Sequence, residues 1–159
     1  MGAKGEELAK KFEAKAQEAA TVFEKLTDAD WQKVTASEQW PVGVTAHHVA
    51  GSYQGIGGMI KAVASGAPLG GMTMNDIHAM NAKHAKEFAA VSKADTLALH
   101  KKNAAETAAV LRGIADADYA KSAKILGDLP AMSAEQLAGG LLCSHVDEHL
   151  GSIKKTVGQ

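Results

Sequence analysis

Between residues 3 and 26 the apolar side chains Leu8, Phe12, Ala16, Ala19, Val22, Phe23 and Leu26 recur at steps of three and four among lysines and glutamates. That spacing gathers them into one stripe along a helix of about 3.6 residues per turn. A helix with a single apolar stripe cannot bury it alone, so the feature commits the chain to helices packed on helices.

The remaining segments obey the same period. The stretch TDADWQKVTASEQWPVG interrupts it, because Pro41 fixes its own φ and biases Trp40 away from helical angles. A second helix is expected over 44–64, closed by the glycine- and proline-bearing loop SGAPLGGMT. Thr73 or Asn75 can cap a third, shorter helix reaching to about Ser92. A fourth, over 93–115, would turn Leu97, Ala104, Ala108, Leu111 and Ile114 inward. Ser133 and Gln136 form a capping box that opens the last helix, over 134–157. Aromatic residues are only 4 % of the chain, and alanine is abundant, which favours helix over strand. With 159 residues, 46 % of them hydrophobic, residues 1–159 are expected to form one domain with a real core. The fold expected is all-α: an antiparallel four-helix bundle with an additional short helix between the second and third long helices.

Charge and cysteine content narrow the partners. A formal net charge of -1 leaves no cationic excess for nucleic acid or anionic membrane. Cys143 is the single cysteine, and no secretory signal or long apolar run is visible, so a soluble cytoplasmic protein is expected. Cys143 sits about 160° around the axis from His145, which suits a buried inert thiol better than a ligand.

The stretch HVDEHLGSI carries the chemistry. A step of four residues advances about 6 Å and turns only about 40°, so His145 and His149 project from one face and can share one ion. Leu141, Leu142, Val146, Leu150 and Ile153 flank them, and a buried imidazole needs partners. The competing reading is coincidence, since seven histidines in 159 positions produce roughly 0.3 such pairs by chance. Zinc in catalytic sites usually takes three protein ligands, so a third must come from elsewhere. HVDEH also matches the protease pattern H-x-x-E-H, yet too little chain follows for that family's downstream ligand. Asp147 points about 180° away from the two histidines and should be solvated; Glu148, about 80° away, could border the site as a catalytic group or form a surface salt bridge.

A second stretch, WPVGVTAHHVAGSYQG, places Trp40 eight residues before His48. Together with IHAMNAKHA before the fourth helix and the terminal HVDEHL, it resembles the DinB-like (DinB/YfiT-like) family over roughly residues 5–157. The resemblance implies an antiparallel four-helix bundle holding a divalent metal, Zn2+ or Ni2+, on His48, His145 and His149. Members include transferases and isomerases that use low-molecular-weight thiols such as mycothiol or bacillithiol, and homodimers are frequent among similar proteins. The function implied is a metal-dependent thiol S-transferase acting on a small-molecule substrate. The alternatives are a metal-dependent hydrolase, a non-catalytic metal or small-molecule binding protein, and a metal-free interaction module.

Residues around His48 fit a pocket. Gly51, Ser52 and Gly55, then Met59, follow on its face, either leaving room for a ligand or letting two helices approach. His47 turns about 100° from His48 and is expected to be exposed or to border the site. Among His78, Asn81 and His84, one is expected to face the pocket; Ser52 and Asn81 are the candidate ligand-binding residues. His84 and His100 otherwise read as surface histidines.

Overall fold

The computed structural model describes residues 2–159. Helix α1 (Ala3–Lys25) buries Leu8, Phe12, Ala16, Ala19, Val22 and Phe23, the stripe its spacing requires. A short α2 (Asp28–Gln32) follows, in a segment read from sequence as a plain connection. It forms because Thr27 and Asp30 make a reciprocal capping box, and it places Trp31 in the core. Then come α3 (Val42–Ser65), α4 (Met74–Glu87) and α5 (Lys93–Gly113), a 3-10 turn over Asp116–Ala120, and two antiparallel two-residue strands, β1 (Ser122–Ala123) and β2 (Met132–Ser133). The last helix starts as α6 (Ala134–Gln136), passes through a π turn over Leu137–Leu141 and continues as α7 (Leu142–Val157). The all-α expectation holds, with four long helices around one apolar cluster.

Helix α4 ends at Glu87 rather than near Ser92, because Ser92 is the N-cap of α5 and accepts from the Asp95 amide. Thr73 is the cap of α4, in a box with Asp76. The Ser133–Gln136 box opens the last helix as its sequence predicts.

Both α1 and α3 pack against α5 and α7. Side-chain pairs fix the directions. Arg112, late in α5, meets Glu6 and Glu13 early in α1, and Lys93 at the start of α5 donates to Glu24 and Leu26 carbonyls. Those two helices therefore run antiparallel. Lys4 with Glu135, Lys15 with Asp147 and Lys154 with Glu18 align α1 and the last helix in the same direction. Helices α3 and α5 also run parallel, since Asn103 donates to the Ala50 carbonyl and Thr107 to that of Tyr53. Two parallel neighbours demand a return path, and α4 supplies it: its 14 residues span about 21 Å at about 1.5 Å each. No residue of α4 is fully buried, as suits a crossover laid on the outside.

Helix α5 buries part of the face expected for it, Ala108, Leu111 and Ile114, together with polar residues that were not expected inside. Thr96, His100, Asn103, Thr107, Ala108 and Leu111 are buried, while Leu97 and Ala104 are only half-buried. Hydrophobic periodicity misses its polar part because His100, Asn103 and Thr107 hydrogen-bond to α3 and Thr96 to the Ser92 carbonyl, which offsets much of the desolvation cost that normally keeps such groups out. His100 is thus a core residue, 3 % exposed, with Nε2 2.9 Å from the Tyr53 hydroxyl. The glycines behave differently from expectation too. Gly51 and Gly55 face open space and bring no helices together, whereas a Cβ at Gly57 would press on Thr107 of α5 at 3.2 Å. No described helix is long and apolar enough to cross a membrane.

Candidate metal centre

The first turns of α3 are enclosed on every side, with each residue from Val42 to Ala50 buried. His48 therefore projects into the bundle, where α7 passes in the opposite direction. From α7 the four-residue step brings His145 and His149 to the same place, with ring centroids 4.5 Å apart. One candidate ligand atom from each of His48, His145 and His149 lies within 4.8 Å of the other two. Cys143, buried on the same helix, does not join them. The π turn of the last helix ends just before α7 and the two histidines, and such extra-residue turns concentrate near functional sites. Gly139 within it suits the close approach of Leu8, which a Cβ there would meet at 3.2 Å.

The donor set fits a divalent ion. The Nε2 atoms of His48 and His145 face each other at 3.1 Å. Two imidazole nitrogens bound to one tetrahedral zinc are separated by about 3.3 Å, given bonds of about 2.0–2.1 Å. Facing nitrogens of two neutral rings satisfy one another with a single proton, and His145 Nδ1 is buried with no hydrogen-bond partner. Burial, reinforced by His145 and His149, pushes His48 down to about 3; burial and then His149 push His145 down to about 4. Both rings are neutral at pH 7, the state in which imidazole ligates.

Glu38 completes the arrangement from the loop between α2 and α3, and nothing in the sequence marked it. Its Oε1 accepts from His149 Nδ1 at 2.8 Å, and its Oε2 accepts from the Ser152 hydroxyl at 2.7 Å. Burial acts to raise this carboxyl, but hydrogen bonds from Ser152, Thr35 and His149 outweigh it and hold it below the usual carboxylate range. On the other side of the same loop, Trp40 sets its indole edge-on to His48, with centroids 5.3 Å apart. That contact explains the Trp40–His48 spacing.

The other sequence candidates fall at different distances from the triad. His47 is buried, 7 % exposed, with Nδ1 2.7 Å from His84 Nε2 and its ring stacked on Phe88. His84 is accordingly a half-buried member of an aromatic group beside His48 rather than a surface histidine. Ser52 is half-buried and spends its hydroxyl proton on the His48 carbonyl at 2.6 Å, as helical serines do. Asn81 is half-buried on α4, one turn before His84, and His78 is exposed. Glu148 is exposed on α7, and Asp147 pairs with Lys15 at 2.7 Å. Two surface clefts, of about 620 and 580 Å³, lie elsewhere, one against α3 and α5 around Lys61 and Glu106, the other between α1 and α5.

No curated protein matches the chain, and no solved structure does. The family model of the DinB superfamily, in contrast, matches residues 11–153, from the first helix through the histidines of the last. This protein belongs to the DinB superfamily.

Proposed function

We propose that His48, His145 and His149 bind one divalent metal ion, zinc or nickel, and that the protein is a metal-dependent enzyme transferring a low-molecular-weight thiol to a small electrophile. The observation that carries the reading is the convergence of three imidazoles from two antiparallel helices, with one nitrogen of each close to those of the other two. The ion supplies Lewis acidity, which lowers the pKa of a thiol or water at neutral pH. The chain's own contribution is to keep His48 and His145 neutral by burial and to hold His149 through Glu38. Three neutral ligands leave the ion its full charge and further coordination positions, which is what thiol activation requires. Membership of the superfamily supports the metal, and the occurrence of thiol-dependent enzymes among DinB-like proteins supports the choice of reaction.

Elemental analysis of untagged protein is expected to give about one metal per chain, lost in His48→Ala and His149→Ala. A panel of thiols with an electrophile then tests the reaction. Turnover no higher than that of the triple-alanine variant sinks the transferase reading. A non-catalytic metal site is the second reading, favoured by the lie of two surface clefts on other faces of the bundle. It predicts metal uptake and a raised melting temperature with no turnover.

A further inference from the structure

Among the described residues Glu38 hydrogen-bonds a triad histidine, and both of its oxygens accept from α7. Oε1 accepts from His149 Nδ1 and Oε2 from Ser152 Oγ, residues three apart on one helix face. The carboxylate therefore grips the helix at two points and fixes the plane of the His149 ring as well as its proton. With Nδ1 carrying the hydrogen, Nε2 of His149 is left with its lone pair for a ligand.

The loop that presents Glu38 is held rigidly. Thr35 donates its amide to the Trp40 carbonyl at 2.9 Å, the Gln39 amide donates to the Thr35 carbonyl at 3.1 Å, and the Val42 amide to the Lys33 carbonyl at 2.7 Å. Gln39, next to Glu38, has φ +60°, the sole positive φ outside glycine among the described residues. A left-handed glutamine persists only where its surroundings over-determine it, and such strain concentrates at functional sites. The turn aims Glu38 at His149 and Trp40 at His48, so one short loop addresses ligands on both helices.

We propose that Glu38 is a positioning residue for metal binding: it locks His149 in the Nδ1–H tautomer and orients the ring so that Nε2 points into the triad. The inference rests on the metal-site reading above and names the residue that prepares that site before any ion arrives. Outer hydrogen bonds of this kind are worth about 10–100-fold in metal affinity.

Two measurements test it on the full chain. In metal-free protein, long-range 1H–15N spectra of His149 are expected to show the Nδ1–H form in wild type and a tautomer mixture in Glu38→Ala. Zinc affinity, read by competition with a chromogenic chelator, is expected to fall about 10–100-fold in Glu38→Ala. Glu38→Gln keeps an acceptor at Oε1 without the charge, so it should retain the tautomer and recover most of the affinity; if the alanine variant fails to fold, the wild-type spectrum decides, since an Nε2–H form of His149 there overturns the proposal. An unchanged tautomer, or zinc affinity within twofold of wild type, in Glu38→Ala overturns the proposal. Wild type that takes up no zinc overturns the metal reading itself, a result distinct from zinc bound equally with and without Glu38.

Discussion

Gly43 stands in the first turn of α3 with the Trp31 indole where a side chain would be: a Cβ there would collide with Nε1 and Cε2 of the ring. Trp31 has little freedom to retreat, because its Nε1 donates to the Val91 carbonyl at 2.9 Å and its ring is buried. Gly43→Ala should therefore destabilise the fold by about 1–3 kcal/mol, the usual cost of overpacking. Urea denaturation checks this, and a wild-type midpoint would show that Trp31 is freer than its contacts indicate. Individual residues of this kind were legible in the sequence only where the partner is local. Thr27, Thr73 and Ser133 cap helices through residues three positions on; the Ser133 box is read from the sequence, and Thr73 is one of two candidate caps. Glu38 meets His149 across 111 residues and Tyr53 meets His100 across 47, and no spacing rule reaches that far.

Among the elements, α5 shows how paired polar groups alter a helix. Its buried face sets His100 against Tyr53, Asn103 against the Ala50 carbonyl and Thr107 against the Tyr53 carbonyl, a polar seam inside the bundle. Burial holds His100 down at about 4, against 6.5 for a free imidazole. Above pH 6.5 the folded and unfolded chains both carry it neutral, and its neutral burial costs nothing further. Below that pH the unfolded chain takes up a proton that the folded chain refuses, so stability is lost as pH falls from about 6.5 to about 4. The slope is about 1.4 kcal/mol per pH unit for each such histidine, and metal-free His48 and His145 carry the same sign. Urea titrations in chelator at pH 7.5, 6 and 5 should show a shallower decline for His100→Gln than for wild type. Equal declines would mean that His100 titrates normally. The last helix makes a different point: its ends at 134 and 157 follow from its cap and its apolar spacing, whereas its π turn has no signature in residue types.

At the scale of the molecule, the triad ties α3 to α7, two helices that meet antiparallel with no short connection between them. An ion bound to all three histidines needs the folded arrangement, so it stabilises the native state through mass action. At free zinc 100 times the dissociation constant the gain is about 2.7 kcal/mol, equivalent to about 5–10 °C in melting temperature for a chain of this length. Adding zinc to chelator-treated protein should produce a shift of that order, absent in His48→Ala. An identical melting curve with and without zinc would argue against a site joining the two helices.

The amino-acid order by itself determined the four long helices and most of their ends, and it set His145 and His149 on one face; His48 joined them through the resemblance to the DinB-like family. Apolar spacing, caps and breakers act over a few residues; the His145–His149 interval lies within one helix, and Trp40 stands two residues before the helix that carries His48. Only the tertiary structure decided which helices run parallel, that a polar face of α5 is buried and that Glu38 stands behind His149. Those outcomes depend on pairing between segments far apart in the chain, where a polar residue is buried once a particular partner neutralises its desolvation cost.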